Sequence, residues 1–302
     1  MEGDFSWNPD PESGITVDWV EANGLQFEVA MAGEGERLAL CLHGFPELHH
    51  SWRHQMPVLA RMGYRVWAPN LRGYGATSRP QGVRNYALDH LTRDVAALID
   101  ASGAKEVTLL AHDWGAVIAW TFAILNLRPL ERLVIMNVPH PMVGRREIRR
   151  WEQFKKSWYI FYFQLPWLPE KMLGRGDGKA IGKLFERTSC NPELFGPDEQ
   201  AIYNAAAARP GARTAMVNYY RALLRHGDSV DLGDCRIETP TLMIWGEEDL
   251  ALNIHCTEGT EEWVPNIIVK RLPNVSHWVQ QDAPDQVNAI LSEWLPAHAE
   301  AS

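Results

Sequence analysis

Residues Thr108 to Asn126 read TLLAHDWGAVIAWTFAILN. Thr108 to Ala111 form a short apolar run of strand type, and the longer apolar stretch from Trp114 suits a buried helix. Asp113 stands on the junction between them. A sharp strand-to-helix turn holds its central residue in a strained conformation and needs small neighbours; Ala111, Gly115 and Ala116 flank His112-Asp113-Trp114 accordingly. An aspartate here can simply cap the following helix. It can also be a nucleophile displayed above a sheet.

Working outward, ITVDWVEANGLQFEVAMAG alternates apolar and polar residues on both sides of Asn23-Gly24, a pair that tolerates the positive φ of a tight turn. An antiparallel hairpin is expected. The strand-length runs RLALCLHG, YRVWAPN, EVTLLAH and LERLVIMNV follow, with helix-like stretches such as HLTRDVAALIDASG between some of them. That alternation predicts a mostly parallel sheet with helices on both faces. From about Pro141 to Asp234 the strand pattern stops, and EIRRWEQFKKSWYIFYFQLPWLPEKML, DEQAIYNAAAA and RTAMVNYYRALLRHG read as amphipathic, aromatic-rich helix. PTLMIWGEED and NIIVKRLPNVSH then resume the strand pattern, and DQVNAILSEWL closes with a helical period. The expected organisation is a core made of residues 1–140 and 235–302, interrupted by a helical cap over 141–234. No internal repeat or low-complexity segment is present.

The 302-residue chain is long enough for a large core, and its formal net charge of −9 disfavours nucleic acid or an anionic membrane as the main partner. A small molecule is the expected ligand. Cys41, Cys190, Cys235 and Cys256 lack the paired spacing of a zinc site or redox motif and read as reduced packing residues, with no metal expected. The acidic, polar start MEGDFSWNPDPESG does not read as a signal peptide, and no apolar run has the length of a membrane span. A cytoplasmic protein is expected.

If Asp113 is a nucleophile, its chemistry narrows the substrate. A carboxylate, with a reference pKa of about 3.9, is anionic at neutral pH and needs no base to attack. Attack on an ester or amide would give an uphill mixed anhydride, whereas attack on a saturated carbon bearing a leaving group gives a simple alkyl ester. The expected electrophile is an epoxide or an alkyl halide. Releasing that ester requires an activated water and so a general base, for which histidine suits. Of the 11 histidines, His277 is favoured by its place in LPNVSHWVQQDAPDQ, after the last apolar strand and before the last helix. His112 is set aside because it should point away from its neighbour's cleft. Among Glu247, Glu248 and Asp249 of GEED, Asp249 is the expected orienting acid; the other place for it, after LVIM, holds Asn137. The order Asp113, Asp249, His277 matches nucleophile, acid and base in this type of sheet. In LCLHGFPE a loop can aim the Phe45 N–H, with that of Trp114, at an oxyanion.

His43-Gly44-Phe45-Pro46-Glu47, RGYG at Arg72 to Gly75, His112-Asp113-Trp114-Gly115, GEED and SHW together resemble the α/β-hydrolase family and, within it, the epoxide hydrolases. The motifs occur in the family's order over nearly the whole chain; Ala111 stands where the family elbow usually has glycine. The resemblance implies an eight-stranded, mostly parallel α/β sheet with a helical cap inserted after strand 6, and a cofactor-independent conversion of an epoxide and water to a diol. It also implies two cap tyrosines that protonate the opening oxygen. A phenol with pKa near 10 stays protonated at neutral pH and can donate to an alkoxide. SWYIFYFQLP and VNYYRALL look like the two tyrosine segments, with Tyr159 preferred to Tyr162 and Tyr220 to Tyr219. Phe45, Trp114, Phe163 and Trp278 are expected against the substrate. Trp151, Trp158, Phe161, Phe163 and Trp167 suggest an apolar or aryl-substituted epoxide, or else the cap's own packing.

A haloalkane dehalogenase would share the Asp-Trp elbow, but such enzymes generally carry a polar or acidic residue at the Phe45 position and have no need of the tyrosines. A non-catalytic small-ligand receptor on the same fold is the other reading, against which the complete set of nucleophile, acid and base speaks.

Overall fold

Asn23 and Gly24 take φ values of 49° and 71°, and the strands on either side, β1 (Thr16–Ala22) and β2 (Leu25–Ala32), pair antiparallel with Ala22 opposite Leu25. This is the two-residue turn that Asn-Gly favours, because its backbone twist matches that of the strands. The computed structural model describes residues 7–176 and 178–296; the first six residues of the acidic start lie outside the described residues. Six further strands complete the sheet: β3 (Arg37–Leu42), β4 (Tyr64–Pro69), β5 (Val107–His112), β6 (Arg132–Met136), β7 (Thr241–Gly246) and β8 (Ile267–Leu272). Their order is β1-β2-β4-β3-β5-β6-β7-β8. β1, β2 and β4 join antiparallel, and every pairing from β4 onward is parallel, giving the expected eight-stranded, mostly parallel sheet.

Every residue of β3, β5 and β7 is buried, which is why these strands read as unbroken apolar runs instead of alternating ones. Alternation persists in where the side chains go. Leu38, Leu40, Leu42, Leu109, Ala111, Leu133 and Ile135 pack on one face, and Ala39, Cys41, Leu110, Val134 and Met136 on the other. Helices α1 (Met56–Arg61), α2 (Leu88–Ser102) and α3 (Trp114–Ile124) divide between the faces: Met56 and Leu59 join the second layer, whereas Val95, Ile99, Ile118 and Phe122 join the first.

After β6 the described chain forms only helices and loops until β7. These are α4 (Pro141–Glu147), α5 (Trp151–Lys156), α6 (Trp158–Tyr162), α7 (Leu168–Leu173), α8 (Ala180–Thr188), α9 (Pro197–Ala208) and α10 (Ala212–Arg225). The amphipathic stretch ending at Leu173 is cut into short pieces. Trp167 has φ 48° and lies between Pro166 and the Pro169 of the first turn of α7, a geometry that no continuous helix accommodates. α11 (Val279–Asp282) and α12 (Pro284–Trp294) follow β8, and α12 packs Val287 and Leu291 on the second layer. Among the described residues no helix is long and apolar enough to cross a membrane.

The cysteines need one correction. All four are free thiols, but Cys190 is exposed and packs no core; it follows α8 in a turn leading to Pro192, where spacing gave no hint of burial.

Candidate active site

Parallel strands deliver their carboxyl ends to one edge of the sheet, and the loops there carry the chemistry. At the end of β5, Asp113 has φ 47° and ψ −120°, a strained combination for a residue with a side chain. Its carboxylate makes no cap hydrogen bond to α3, so helix capping does not account for it. The close surroundings show why small residues flank the turn: a Cβ on Gly44 would overlap Asp113, and one on Gly115 would overlap the Leu42 carbonyl. Asp113 Oδ1 accepts a 2.6 Å hydrogen bond from the Phe45 N–H, and Oδ2 lies 3.4 Å from His277 Nε2. Trp114 opens α3, so its N–H belongs to the helix end that has no intrahelical acceptor.

His277 lies in the loop after β8, with Nδ1 2.6 Å from Asp249 Oδ2. Asp249, after β7, is held in turn. Its Oδ1 accepts from the N–H groups of Ala251 and Leu252 at 2.7 and 2.9 Å, and Oδ2 accepts from Asn137 Nδ2 at 2.8 Å. Asn137 thus occupies the alternative acid position as a donor that points the acid at the imidazole, while its Oδ1 accepts from the Gly246 N–H at 2.9 Å.

The three titratable groups fix one another's charge. Burial disfavours both carboxylates, but hydrogen bonding and charge from His277 hold Asp113 below its ordinary value; the same partner, with Asn137 and the Leu252 N–H, does so for Asp249. Burial would likewise lower His277, yet the two carboxylates raise it well above 6.5. The resting site is therefore an imidazolium clamped between two anions.

Sequence reasoning missed the group beneath it. Glu47, the last residue of HGFPE, is fully buried; its Oε2 accepts from the Gly44 N–H at 2.8 Å and from His112 Nδ1 at 2.7 Å, and its Oε1 accepts from the side-chain amides of Gln280 and Gln281, both at 2.8 Å. His112 Nε2 reaches the His277 carbonyl at 2.8 Å. His112 does turn from the cleft, but to tie the Asp113 turn to the His277 loop. A glutamate next to a proline in an apolar motif was the available signal.

A cavity of about 850 Å³ opens beside Asp113, lined also by Trp114, Val138, Tyr159, Ile160, Phe161 and Tyr220. Within each tyrosine pair the structure separates the two. Tyr219 donates to the Arg72 carbonyl at 2.8 Å and Tyr162 to the Leu168 carbonyl at 3.4 Å, both away from this wall, whereas Tyr159 and Tyr220 line it with Asp113. Burial, reinforced by the Asp113 charge, pushes both of these phenols far up, so they stay protonated. Phe45 and Phe163 stack edge-on against Tyr220, with ring centroids 5.2 and 4.8 Å away, and are not among the residues lining this cavity. Trp278 packs against Phe185 and donates from Nε1 to Thr188 Oγ1 at 2.9 Å, also outside that lining. The aromatic segment differs more from expectation: Trp151, Trp158 and Trp167 are 68%, 58% and 68% exposed and do not line the cavity, although Trp158 touches Tyr162 with ring centroids 5.8 Å apart.

The model of the alpha/beta hydrolase fold family matches residues 40–284. The chain is 38% identical to human "Epoxide hydrolase 4" over 91% of its own length and 77% of that protein's. The chain belongs to the epoxide hydrolases of the alpha/beta-hydrolase fold family. This hydrolase is also 37% identical to the AB hydrolase superfamily protein YfhM of Bacillus subtilis, covering 93% of this chain and 98% of the relative. Among solved structures, Bacillus megaterium epoxide hydrolase in complex with an inhibitor aligns with a TM-score of 0.84 at 31% identity, over 91% of this chain and 99% of that one. Vigna radiata epoxide hydrolase VrEH1 aligns with a TM-score of 0.81 at 29% identity, over 93% and 97%.

Proposed function

We propose that this hydrolase opens apolar epoxides to vicinal diols through an ester on Asp113. The observation that carries the reading is the meeting of one carboxylate with two protonated phenols, Tyr159 and Tyr220, on the wall of one cavity. Oδ1 of Asp113 already rests on the Phe45 N–H, which leaves Oδ2 to attack an epoxide carbon. The tyrosines donate to the ring oxygen as its C–O bond breaks, so the leaving alkoxide is neutralised as it forms.

Alkylation then resets the base. Once Oδ2 is esterified, Asp113 has lost its charge, and one of the two influences that raise His277 is gone. Its pKa falls, its Nε2 proton passes to the tyrosinate left by ring opening, and Asp249 holds Nδ1–H of the neutral imidazole so that Nε2 takes the proton from water. That water attacks the Asp113 carboxyl carbon. The oxyanion develops on Oδ1, at the Phe45 N–H and beside the first turn of α3. Collapse expels the diol, whose leaving oxygen takes its proton from His277, and the carboxylic acid left on Asp113 returns its proton to the imidazole, restoring the resting charges. The groups used are side chains, the Phe45 N–H and water. The Asp-Trp elbow would serve a dehalogenase equally, but two phenols on the cavity wall have no task in displacing halide.

The direct test is a single turnover in heavy-oxygen water. The label should enter the Asp113 carboxyl and be missing from the first diol; label in that first diol would replace the ester by direct water attack.

A further inference from the structure

Most apolar side chains of this fold are buried, yet Trp151, Phe154, Trp158, Phe161 and Leu165 are 68%, 43%, 58%, 50% and 43% exposed. Their spacing of three and four residues places them along one side of α5, α6 and the loop that follows. In the amphipathic reading this stripe should face the core; instead Gln153, Ser157 and Phe163 are buried and the large rings face water. The rings also touch one another, with Trp151 stacked on Phe154 at 5.9 Å and Phe154 tilted against Phe161 at 5.7 Å. Trp167 adds a further ring, 68% exposed. Single exposed apolar residues are ordinary, but a contiguous aromatic stripe marks a surface that is covered in use.

The charge around it indicates by what. Residues 141–156 hold six Lys and Arg against two Glu, within a chain of net charge −9. Of the two acids Glu147 is buried and only Glu152 is exposed. Arg145, Arg146, Arg149, Arg150 and Lys155 are exposed, and the Lys155 ammonium sits over the Trp151 ring at 5.7 Å. Arg146 and Arg150 pair with Glu147 but remain 43% and 55% exposed. A second copy of the chain meeting this stripe about a two-fold axis would set two basic rims against each other. An anionic lipid surface satisfies both features: rings that sit at the boundary of headgroups and acyl chains, and basic residues beside them.

We infer that the stripe on α5 and α6, with its Arg and Lys rim, is a docking surface for an anionic lipid bilayer. The overall acidity that argued against such a partner is an average that hides this region. The surface is continuous with the cavity, because Arg145, Ile148, Ile160 and Phe161 line its wall. An apolar ligand dissolved in the bilayer would thus meet the cavity without crossing bulk water.

The test is sedimentation of the full chain with phosphatidylcholine vesicles, with and without phosphatidylserine, at low and high salt. The phosphatidylserine vesicles should carry the protein down at low salt, release it at high salt, and blue-shift its tryptophan emission. Trp151→Ser with Trp158→Ser, and separately Arg149→Glu with Arg150→Glu, should each weaken binding by roughly tenfold or more. Neither pair lines the cavity, so turnover of a water-soluble epoxide should be unchanged and show that the variants fold. Failure to sediment with anionic vesicles at low salt would overturn the inference, as would undiminished binding by the tryptophan variant. Dimers dispersed by the same substitutions, without vesicle binding, would reassign the stripe to self-association.

Discussion

Asp249→Asn should divide the reaction in two. The substitution keeps the side chain's size but removes a negative charge whose Oδ2 lies 2.6 Å from His277 Nδ1. With charge centres about 4 Å apart and an effective dielectric near 20, the lost attraction on the imidazolium is ~4 kcal/mol. That corresponds to about three powers of ten in a step that creates the imidazolium. The hydrogen bonds add a second handicap. Oδ1 is fixed as an acceptor by the Ala251 and Leu252 N–H groups, so the new amide NH₂ must face both His277 and the Asn137 NH₂. A donor at Nδ1 holds the imidazole in the tautomer whose Nε2 carries a proton, and that tautomer cannot accept one from water. Ring opening relies on Asp113 and the tyrosines and should continue, so the ester accumulates. Rapid quenching with excess styrene oxide followed by intact-protein mass spectrometry should show most chains heavier by one epoxide, with the addition on Asp113. Turnover within about tenfold of the parent enzyme and no adduct would refute the account of Asp249 as the group that readies the base.

The same hydrogen bonds predict that Asn137→Asp, added to Asp249→Asn, recovers part of the hydrolysis rate, since it returns a carboxylate to the pair that faces His277; a double variant as slow as the single one would count against that geometry. Tyr159→Phe and Tyr220→Phe should each slow ring opening, by roughly 10²-fold for one lost proton donor, while Tyr162→Phe and Tyr219→Phe change stability more than rate. Stopped-flow measurement of alkylation on the four variants tests the assignment, and it fails if the members of a pair behave alike. The pH dependence follows from the charges: two carboxylates raise His277 in the free enzyme and one of them is neutralised in the ester, so its pKa must fall on alkylation. Hydrolysis of preformed ester should therefore rise with pH through a midpoint below the His277 midpoint of the free enzyme, measured by NMR titration. Coincident midpoints would contradict the coupling between Asp113 and His277.

Much of the fold was legible because single residues carry strong local demands. Asn23-Gly24 announces its turn through positive φ, and the small residues around Asp113 announce a turn too crowded for a Cβ at Gly44 or Gly115. Unbroken apolar runs mark β3, β5 and β7 because both faces of the central sheet are covered. The unread parts depend on direction rather than identity. Adjacent residues on a helix point about 100° apart, so Tyr219 and Tyr220 look equivalent in sequence although one hydroxyl meets the Arg72 carbonyl and the other side chain lines the cavity. Glu47 and His112 were hidden for the same reason, since their bonds run to residues far along the chain. The aromatic segment misled because ring-rich helices usually turn inward, and this one does not.

Asp113, Asp249, His277 and the Phe45 amide all hang from strand ends, whereas Tyr159 and Tyr220 belong to α6 and α10. In the proposed cycle, discharge of the ester therefore draws on the sheet edge alone, whereas ring opening needs Asp113 of that edge together with the tyrosines of the helical layer. Substitutions in α6 or α10 can redirect substrate choice while leaving discharge intact, and nothing in the sheet has to be retuned to follow them. A single scaffold of this kind is suited to diversify by changing the helices between β6 and β7.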